Sequence, residues 1–349
     1  LVLLNGRRLA PYALSGGQSV DLSGIPVSAI ERVEVLKDGA SAVYGTDAIG
    51  GVVNFILRKD FRGLEASGMV LGVEQGGGEG ARATVTGGWG DLAKDRWNAL
   101  LSVDHVRQEP LRADEREFSK TSYLPGVGLN GTSPFSMPGN VRQRGGFGGA
   151  LRNPTIPAAG PVASSCAPPL SFPQVAAPLA CFFDYAPLAD NIAESRKTNA
   201  VGRLSWQAHP DHLAFAEGSH YRGDFTYKSS PTPVVVSDPF NNPLQVLPPS
   251  PFYPAAWVAS VPRGNPNLPL QLSYRLVELG PRTREPEVEQ SRFVAGLQGV
   301  VKGWDYQLAA GHTVNRQFDH WTGGFVSGSG FRRLYHANLG DRFAPNAPA

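Results

Sequence analysis

The sequence predicts a mostly β fold: part of an antiparallel transmembrane β-barrel, preceded by part of a small α/β domain. Three observations carry that expectation. After Gly63 the apolar residues recur with period two, as they do along a strand with one apolar face. The turns joining successive runs are short on one side and very long on the other. The chain also holds 41 glycines and 30 prolines, 71 of its 349 residues. That density is well above the ordinary usage of about 12% and too high for a helical bundle.

Composition removes several classes of function. Hydrophobic residues make up 41% and charged residues 18%, which fits neither a disordered tail nor a long charged helix. A net charge of +2 makes no electrostatic case for nucleic acid. Two cysteines exclude a disulfide-dense scaffold and a four-cysteine zinc site. No run of about 20 apolar residues exists, so no transmembrane helix is expected. No charged-then-apolar leader follows Leu1, so a signal peptide, if one existed, is expected to be missing. Between Asn153 and Phe183 there is no charged residue, but Pro154, Pro157, Pro161, Pro168, Pro169, Pro173 and Pro178 each remove a helical hydrogen bond, and a loop is expected there.

The first sixty residues read as the α/β unit. Asn5-Gly6 between two apolar runs is a hairpin signal, because both positions tolerate positive φ. Ser28 and Glu31 have capping-box spacing, which predicts a short helix running into Arg32–Lys37. Asp38-Gly39 marks a turn, Ser41–Tyr44 a second helical turn, and Gly50-Gly51 the start of a strand over Val52–Leu57.

The segment from Ile25 to Ile56, IPVSAIERVEVLKDGASAVYGTDAIGGVVNFI, resembles the plug of TonB-dependent outer-membrane receptors. Val2-Leu-Leu-Asn-Gly-Arg-Arg8 resembles the strand before it in the same family. The likeness is carried by Pro26, Ile30, Glu31, Arg32, Val33, Glu34, Val35, Gly39, Tyr44, Gly45, Gly50, Gly51 and Asn54. It implies that residues 1–60 are the C-terminal part of the plug and residues 61–349 the N-terminal part of the barrel. It also implies a barrel of 22 strands, so the chain reads as a slice of a larger receptor in the bacterial outer membrane. For Glu31, Arg32 and Glu34 two readings stand. They form a solvated helix start, or they pair with charges on the inner barrel wall.

Seven strands are expected, starting near 63, 81, 97, 198, 213, 291 and 304. Trp97, Ala99, Leu101 and Val103 oppose Asn98, Ser102 and Asp104; Phe293, Ala295 and Leu297 oppose Arg292 and Gln298. Two strands are less regular: Gly63–Glu74 is mixed, and Glu217 falls on the aromatic face of Leu213–Tyr227. Short turns lie at Gly90–Arg96, Ala208–Asp211 and Lys302-Gly303, and long segments at 109–197 and 228–290. That asymmetry is the pattern of outer-membrane barrels. Trp89, Trp97, Trp206 and Trp304 sit beside the short turns, which predicts an aromatic belt at the periplasmic membrane interface. Cys166 and Cys181 share the first long loop, extracellular on the family reading, and an oxidised bridge is expected.

Enzyme chemistry finds no footing. Gly126-Val-Gly-Leu-Asn-Gly131 matches G-x-G-x-x-G, but neither the strand before it nor the helix after it is expected. No Walker-type loop and no G-x-S-x-G occurs. His209-Pro-Asp-His212 reads as a turn rather than a metal site, since proline breaks the helical face that paired histidine ligands share. No metal, no cofactor and no catalytic residue is therefore expected. The resemblance implies a receptor taking up a scarce nutrient, a ferric siderophore, cobalamin or a carbohydrate. Its partners would be the lipid bilayer and TonB, gripped through a motif upstream of Leu1. The competing readings are a plugless porin or adhesin, against which residues 25–56 argue, and a secreted all-β glycan-binding module or enzyme, which would need a closed soluble sandwich.

Overall fold

The computed structural model describes residues 1–11, 20, 22–37, 40–157, 160, 165–234, 245–328 and 330. The chain forms two compact units. One comprises Leu1–Pro110, Ala193–Thr226 and Glu285–His320, the other Leu111–Ile192, Tyr227–Arg284 and Trp321–Ala349.

The first unit opens with a four-stranded sheet of order β2-β1-β4-β3. Its strands are β1 (Val2–Leu4), β2 (Arg7–Arg8), β3 (Ile30–Leu36) and β4 (Val52–Leu57). The β1–β2 hairpin turns on Asn5 (φ 50°) and Gly6 (φ 77°), the two left-handed positions of a tight hairpin turn. The helix expected from Ser28 does not form. Val27–Ala29 makes one 3-10 turn and Ile30–Leu36 is a strand. Instead of capping a helix, the Ser28 hydroxyl shares a hydrogen bond with Ser102 Oγ at 2.8 Å. The reason lies in the partner edge: Val33 pairs with Phe55, Glu34 with Asn54 and Val35 with Val53. A one-turn helix fixes three residues for a single hydrogen bond, whereas the open edge of β4 offers a bonded ladder. The helical turn at Ser41–Tyr44 and the strand at Val52–Leu57 form as expected. Gly51 (φ +114°) precedes that strand where an added Cβ would lie 2.5 Å from the Leu36 carbonyl oxygen, so only glycine fits. The expected turn at Asp38-Gly39 lies outside the described residues.

The rest of this unit is built on a seven-stranded sheet whose spatial order follows the chain. Its strands are β5 (Gly63–Leu71), β6 (Gly80–Trp89), β7 (Trp97–Gln108), β8 (Glu194–His209), β9 (His212–Ser229), β10 (Arg282–Val301) and β11 (Trp304–Gly323). Strands β5 to β9 pair antiparallel in succession. Five of the seven begin within one residue of the expected position. β8 and β10 begin earlier, at Glu194 and Arg282. Their added residues include Arg196, Glu285, Glu287 and Glu289, charges that interrupt the apolar alternation without interrupting the backbone ladder.

Burial on β7 and β8 is inverted relative to a soluble sandwich, whereas β9 buries Leu213, Phe215 and Tyr221 together with Glu217. The polar row of β7, Asn98, Ser102 and Asp104, is buried, while Trp97, Leu101 and Val103 on its apolar row are exposed. β8 repeats this: Asn199, Arg203 and Ser205 are buried, Leu204 and Trp206 exposed. Alternation with the polar side in and the apolar side out is the pattern of a membrane-spanning barrel wall. The buried face is occupied by the small α/β unit, where Leu4, Ala29 and Leu57 pack on Val201.

The second unit consists of the two long connections and the C-terminal segment. The connections are not simple loops. Asn140–Gln143 from the first pairs with Leu270–Arg275 from the second, at the centre of a five-stranded sheet. Val141, Phe147, Val258, Leu270, Leu272 and Tyr274 form its core. Arg275 is buried in it. Its guanidinium donates to the carbonyls of Phe135 (3.0 Å) and Pro231 (2.8 Å) and to the hydroxyls of Ser133 (2.8 Å) and Ser230 (3.1 Å). Burial lowers its pKa to about 10, so it stays cationic at neutral pH. Within the proline-rich stretch expected to be a loop, Ser171–Gln174 and Ala177–Phe183 form a two-stranded hairpin, an arrangement with no central strand in which proline would be excluded.

Cys166 and Cys181 are joined by a disulfide across a sequence separation of 15, with a Cα–Cα distance of 5.7 Å. They pack with Ile156 and Leu179 in a small apolar cluster. Replacing both by serine should lower the stability of this unit by about 3 kcal/mol. Urea-dependent proteolysis within Leu151–Phe183 measures it, and an unshifted cleavage midpoint would show that the bridge adds nothing.

Candidate functional site at the buried face of the sheet

The buried face holds a charge cluster centred on Glu217 of β9, which is 2% exposed. Arg203 of β8 is its directly opposite cross-strand partner and donates to Glu217 Oε1. Arg292 of β10 donates to Oε2 at 3.4 Å. The Asn5 side chain completes the set by donating to Glu217 Oε1 at 2.7 Å. One carboxylate thus accepts from two strands of the sheet and from the hairpin turn of the α/β unit.

The turn can reach it because of its own backbone. The left-handed conformation at Asn5 aims its amide group away from β1. Asn5 Oδ1 accepts from the Leu57 backbone N–H at 2.9 Å while Nδ2 faces Glu217. The Gly6 N–H is taken by Asn54 Oδ1 at 2.9 Å. Asn5 therefore ties the hairpin both to its own sheet and to the enclosing wall. The Arg7 guanidinium lies over the Phe215 ring at 4.6 Å and Arg203 over the same ring at 5.5 Å, an arrangement favoured by the ring quadrupole. A second pair joins β6 and β7: buried Asp104 accepts from the partly exposed Arg82 Nε at 2.6 Å and from Thr84 Oγ1 at 2.7 Å. These contacts position and lock; none places a nucleophile beside a base.

The residues singled out by sequence are placed as follows. Arg32 pairs with Glu31 at 2.8 Å and with Glu34 at 2.9 Å, all about half exposed. Glu34 also accepts from Asn54 Nδ2 at 3.1 Å. The helix-start reading of this trio is corrected: the three lie on strand β3, where Arg32 and Glu34, as alternate residues, share one face, and Glu31 also acts electrostatically on Arg203 of β8. Val33 and Val35 of β3 are exposed, Pro26 is buried and Ile30 half-buried. The Tyr44 carbonyl accepts from Arg8, which also pairs with Asp47. Gly45 (φ +83°) ends the short helix, and Gly50 and Gly51 lead into β4. Gly39 lies outside the described residues.

Trp89, Trp97, Trp206 and Trp304 are all exposed. Trp97 and Trp206 are direct cross-strand partners, and all four flank the short turns at residues 90–96, 210–211 and 302–303. His209 and His212 flank the second of these turns; His212 Nδ1 is bonded to the Tyr306 hydroxyl at 3.1 Å. The G-x-G-x-x-G segment is the tip of a hairpin between Tyr123–Leu124 and Leu129–Asn130. Sequence reasoning missed Asn5, Arg203 and Arg292. The irregular Glu217, an acid among aromatics, was the available signal for the cluster.

A sheet whose strands β6 to β8 bury a polar row and expose an apolar one, hydrogen-bonded to an α/β unit, is the arrangement expected of a barrel-type protein with an internal plug. Comparison with known proteins sharpens this. Residues 1–52 match the TonB-dependent Receptor Plug Domain. A vitamin B12 transporter, BtuB, of Photobacterium profundum is 34% identical over 134 residues, 37% of this chain and 21% of the relative. The family match thus falls on the α/β block at the start of the chain, where the sequence resembles the plug of TonB-dependent receptors. The chain spans about a fifth of the length of the BtuB relative. A ferric enterobactin receptor of Pseudomonas aeruginosa aligns over 91% of this chain and 33% of its own, at 13% identity and a TM-score of 0.44. The siderophore receptor PirA of Acinetobacter baumannii aligns over 91% and 36%, at 15% identity and a TM-score of 0.38.

Proposed function

We propose that the protein of which this chain is a part sits in the bacterial outer membrane and imports a scarce nutrient with energy delivered through TonB. On this reading residues 1–60 are the C-terminal part of the plug, and β5–β11 are the first seven strands of a 22-stranded barrel. Trp89, Trp97, Trp206 and Trp304 form its periplasmic aromatic belt. The segments 109–197 and 228–290 are extracellular and carry the ligand contacts. The observation that supports this best is the inverted burial of strands β6 to β8, because an exposed apolar row and a buried polar row suit lipid outside and a plug inside. The nutrient belongs to the class of cobalamin, ferric siderophores or carbohydrates, and the BtuB relative favours cobalamin. No bond chemistry is required; the Glu217 cluster holds the plug hairpin until the plug is remodelled.

Uptake of labelled cobalamin and of ferric siderophores by cells carrying the whole receptor tests this directly. Accumulation should depend on the receptor and vanish when TonB is inactivated. Accumulation that persists without TonB would overturn the reading. The isolated chain should aggregate without detergent, since its sheet has two open edges and an apolar outer band. A monodisperse, cooperatively folding product in plain buffer would favour a soluble β protein instead.

A further inference from the structure

Next to the Glu217 cluster lies a cleft of about 370 Å3. The plug hairpin contributes Arg7 and Arg8, strand β10 contributes Arg292, and strand β11 contributes Gln307, Gly311 and Thr313. Arg292 is 5% exposed. Its Nη1 is used by Glu217 at 3.4 Å, but its Nη2 is buried and has no hydrogen-bond partner among the described residues. Arg7 shows the same division of labour. Its Nη1 donates to the Asn5 carbonyl at 3.1 Å, and its Nη2 is buried without a partner among the described residues.

The charge balance explains why these two nitrogens are left over. Arg8 is neutralised by Asp47. Among the described residues Arg7, Arg203 and Arg292 gather near Glu217, with Glu31 also acting on Arg203, so guanidinium groups outnumber the carboxylates that they hydrogen-bond in this cluster. No carboxylate is among the described residues lining the cleft; the β11 side is neutral, with Gln307 and Thr313 polar and Ala309 and Ala310 apolar. Buried, unpaired guanidinium groups are costly. Planar N–H donors left free in this way match the oxygens of a phosphate or carboxylate, to which arginine binds in a forked geometry. Thr313 and Gln307 add neutral hydrogen-bonding groups, and Gly311 keeps the β11 side free of bulk.

We propose that this cleft is an oxyanion site, which binds a phosphate- or carboxylate-bearing group from solution between the plug hairpin and the barrel wall. Arg7 and Arg292 are its principal donors. Because one donor belongs to the plug and one to the wall, an anion bound here ties the two together. The site is assigned by its own geometry and does not depend on which nutrient is carried.

Inorganic phosphate is the probe. The whole receptor, purified in detergent, is titrated with phosphate or with chloride at matched ionic strength, following binding calorimetrically and the thermal midpoint in parallel. Phosphate should bind and raise the midpoint while chloride does not, as expected for a ligand that binds only the folded state. Arg7→Gln should weaken phosphate binding at least tenfold. Thr313→Val, which leaves the Glu217 cluster intact, should weaken it several-fold. Arg107→Gln, on the outward face of β7, should leave it unchanged. Identical behaviour in phosphate and chloride would overturn the proposal and point to a carboxylate of the protein itself as the permanent partner. Unaltered phosphate affinity in both Arg7→Gln and Thr313→Val would overturn it as well, because binding would then lie elsewhere.

Discussion

Glu217→Leu is expected to destabilise the whole receptor by about 3–5 kcal/mol, the cost of leaving buried cations without their counter-ion. The size follows from the position. Glu217 is 2% exposed, and both Arg203 and Arg292 are about as deeply buried, so neither guanidinium can turn to water when the carboxylate is removed. The loss should be local as well as global. Without its acceptor, Asn5 no longer ties the β1–β2 hairpin to the wall, and protease sensitivity around Asn5-Gly6 should rise before the barrel itself unfolds. Replacing the triad together, Glu217→Leu with Arg203→Leu and Arg292→Met, should recover much of the stability, because a buried ion cluster exchanged for packed apolar groups is often neutral or better. Thermal unfolding in detergent measures both variants. A single substitution costing under about 1 kcal/mol would mean that the cluster is wet and has no locking role.

Leu101→Arg carries the second large expected effect, and it separates a lipid-facing wall from a water-facing one. Leu101 is 47% exposed on the outward face of β7. Its cross-strand partners are Gly202 on β8 and Gly87 on β6, with the Trp89 ring lying over Gly87. At the surface of a soluble sandwich such a substitution changes stability by less than about 0.5 kcal/mol. Near the middle of a bilayer it costs about 2–4 kcal/mol, because the charge must be dragged toward water or drag water in. Equilibrium unfolding of the receptor from lipid vesicles distinguishes the two. A cost of a few tenths of a kcal/mol would remove the membrane reading of this face.

The outcome at particular residues shows where local pattern suffices. Asn5-Gly6 specified its hairpin because the dipeptide itself tolerates the required φ values. Lys302-Gly303 did the same at the β10–β11 turn, where both residues have positive φ. Ser28 and Glu31 misled for the complementary reason: a capping box is a statement about one turn of chain, and the strand edge of β4, twenty residues on, decided the matter. Asn140–Gln143 and Leu270–Arg275 pair across about 130 residues. No short-range signal announces such a partner, so the two long connections read as loops although they share one core.

What the sequence by itself determined is the set of periodicities and turns: seven alternating runs, the short and long connections, the glycine-bound turns and the plug-like block before them. These depend on interactions between near neighbours along the chain. Only the tertiary structure decided which side of strands β6 to β10 is buried, since period two distinguishes two faces without saying which is inside. Glu217 lies in the buried row of β9 with Phe215 and Tyr221, and its charge is met there by Arg203 and Arg292. It is the point where two strands and the plug hairpin meet, a role set by residues 5, 203 and 292 arriving from distant parts of the chain.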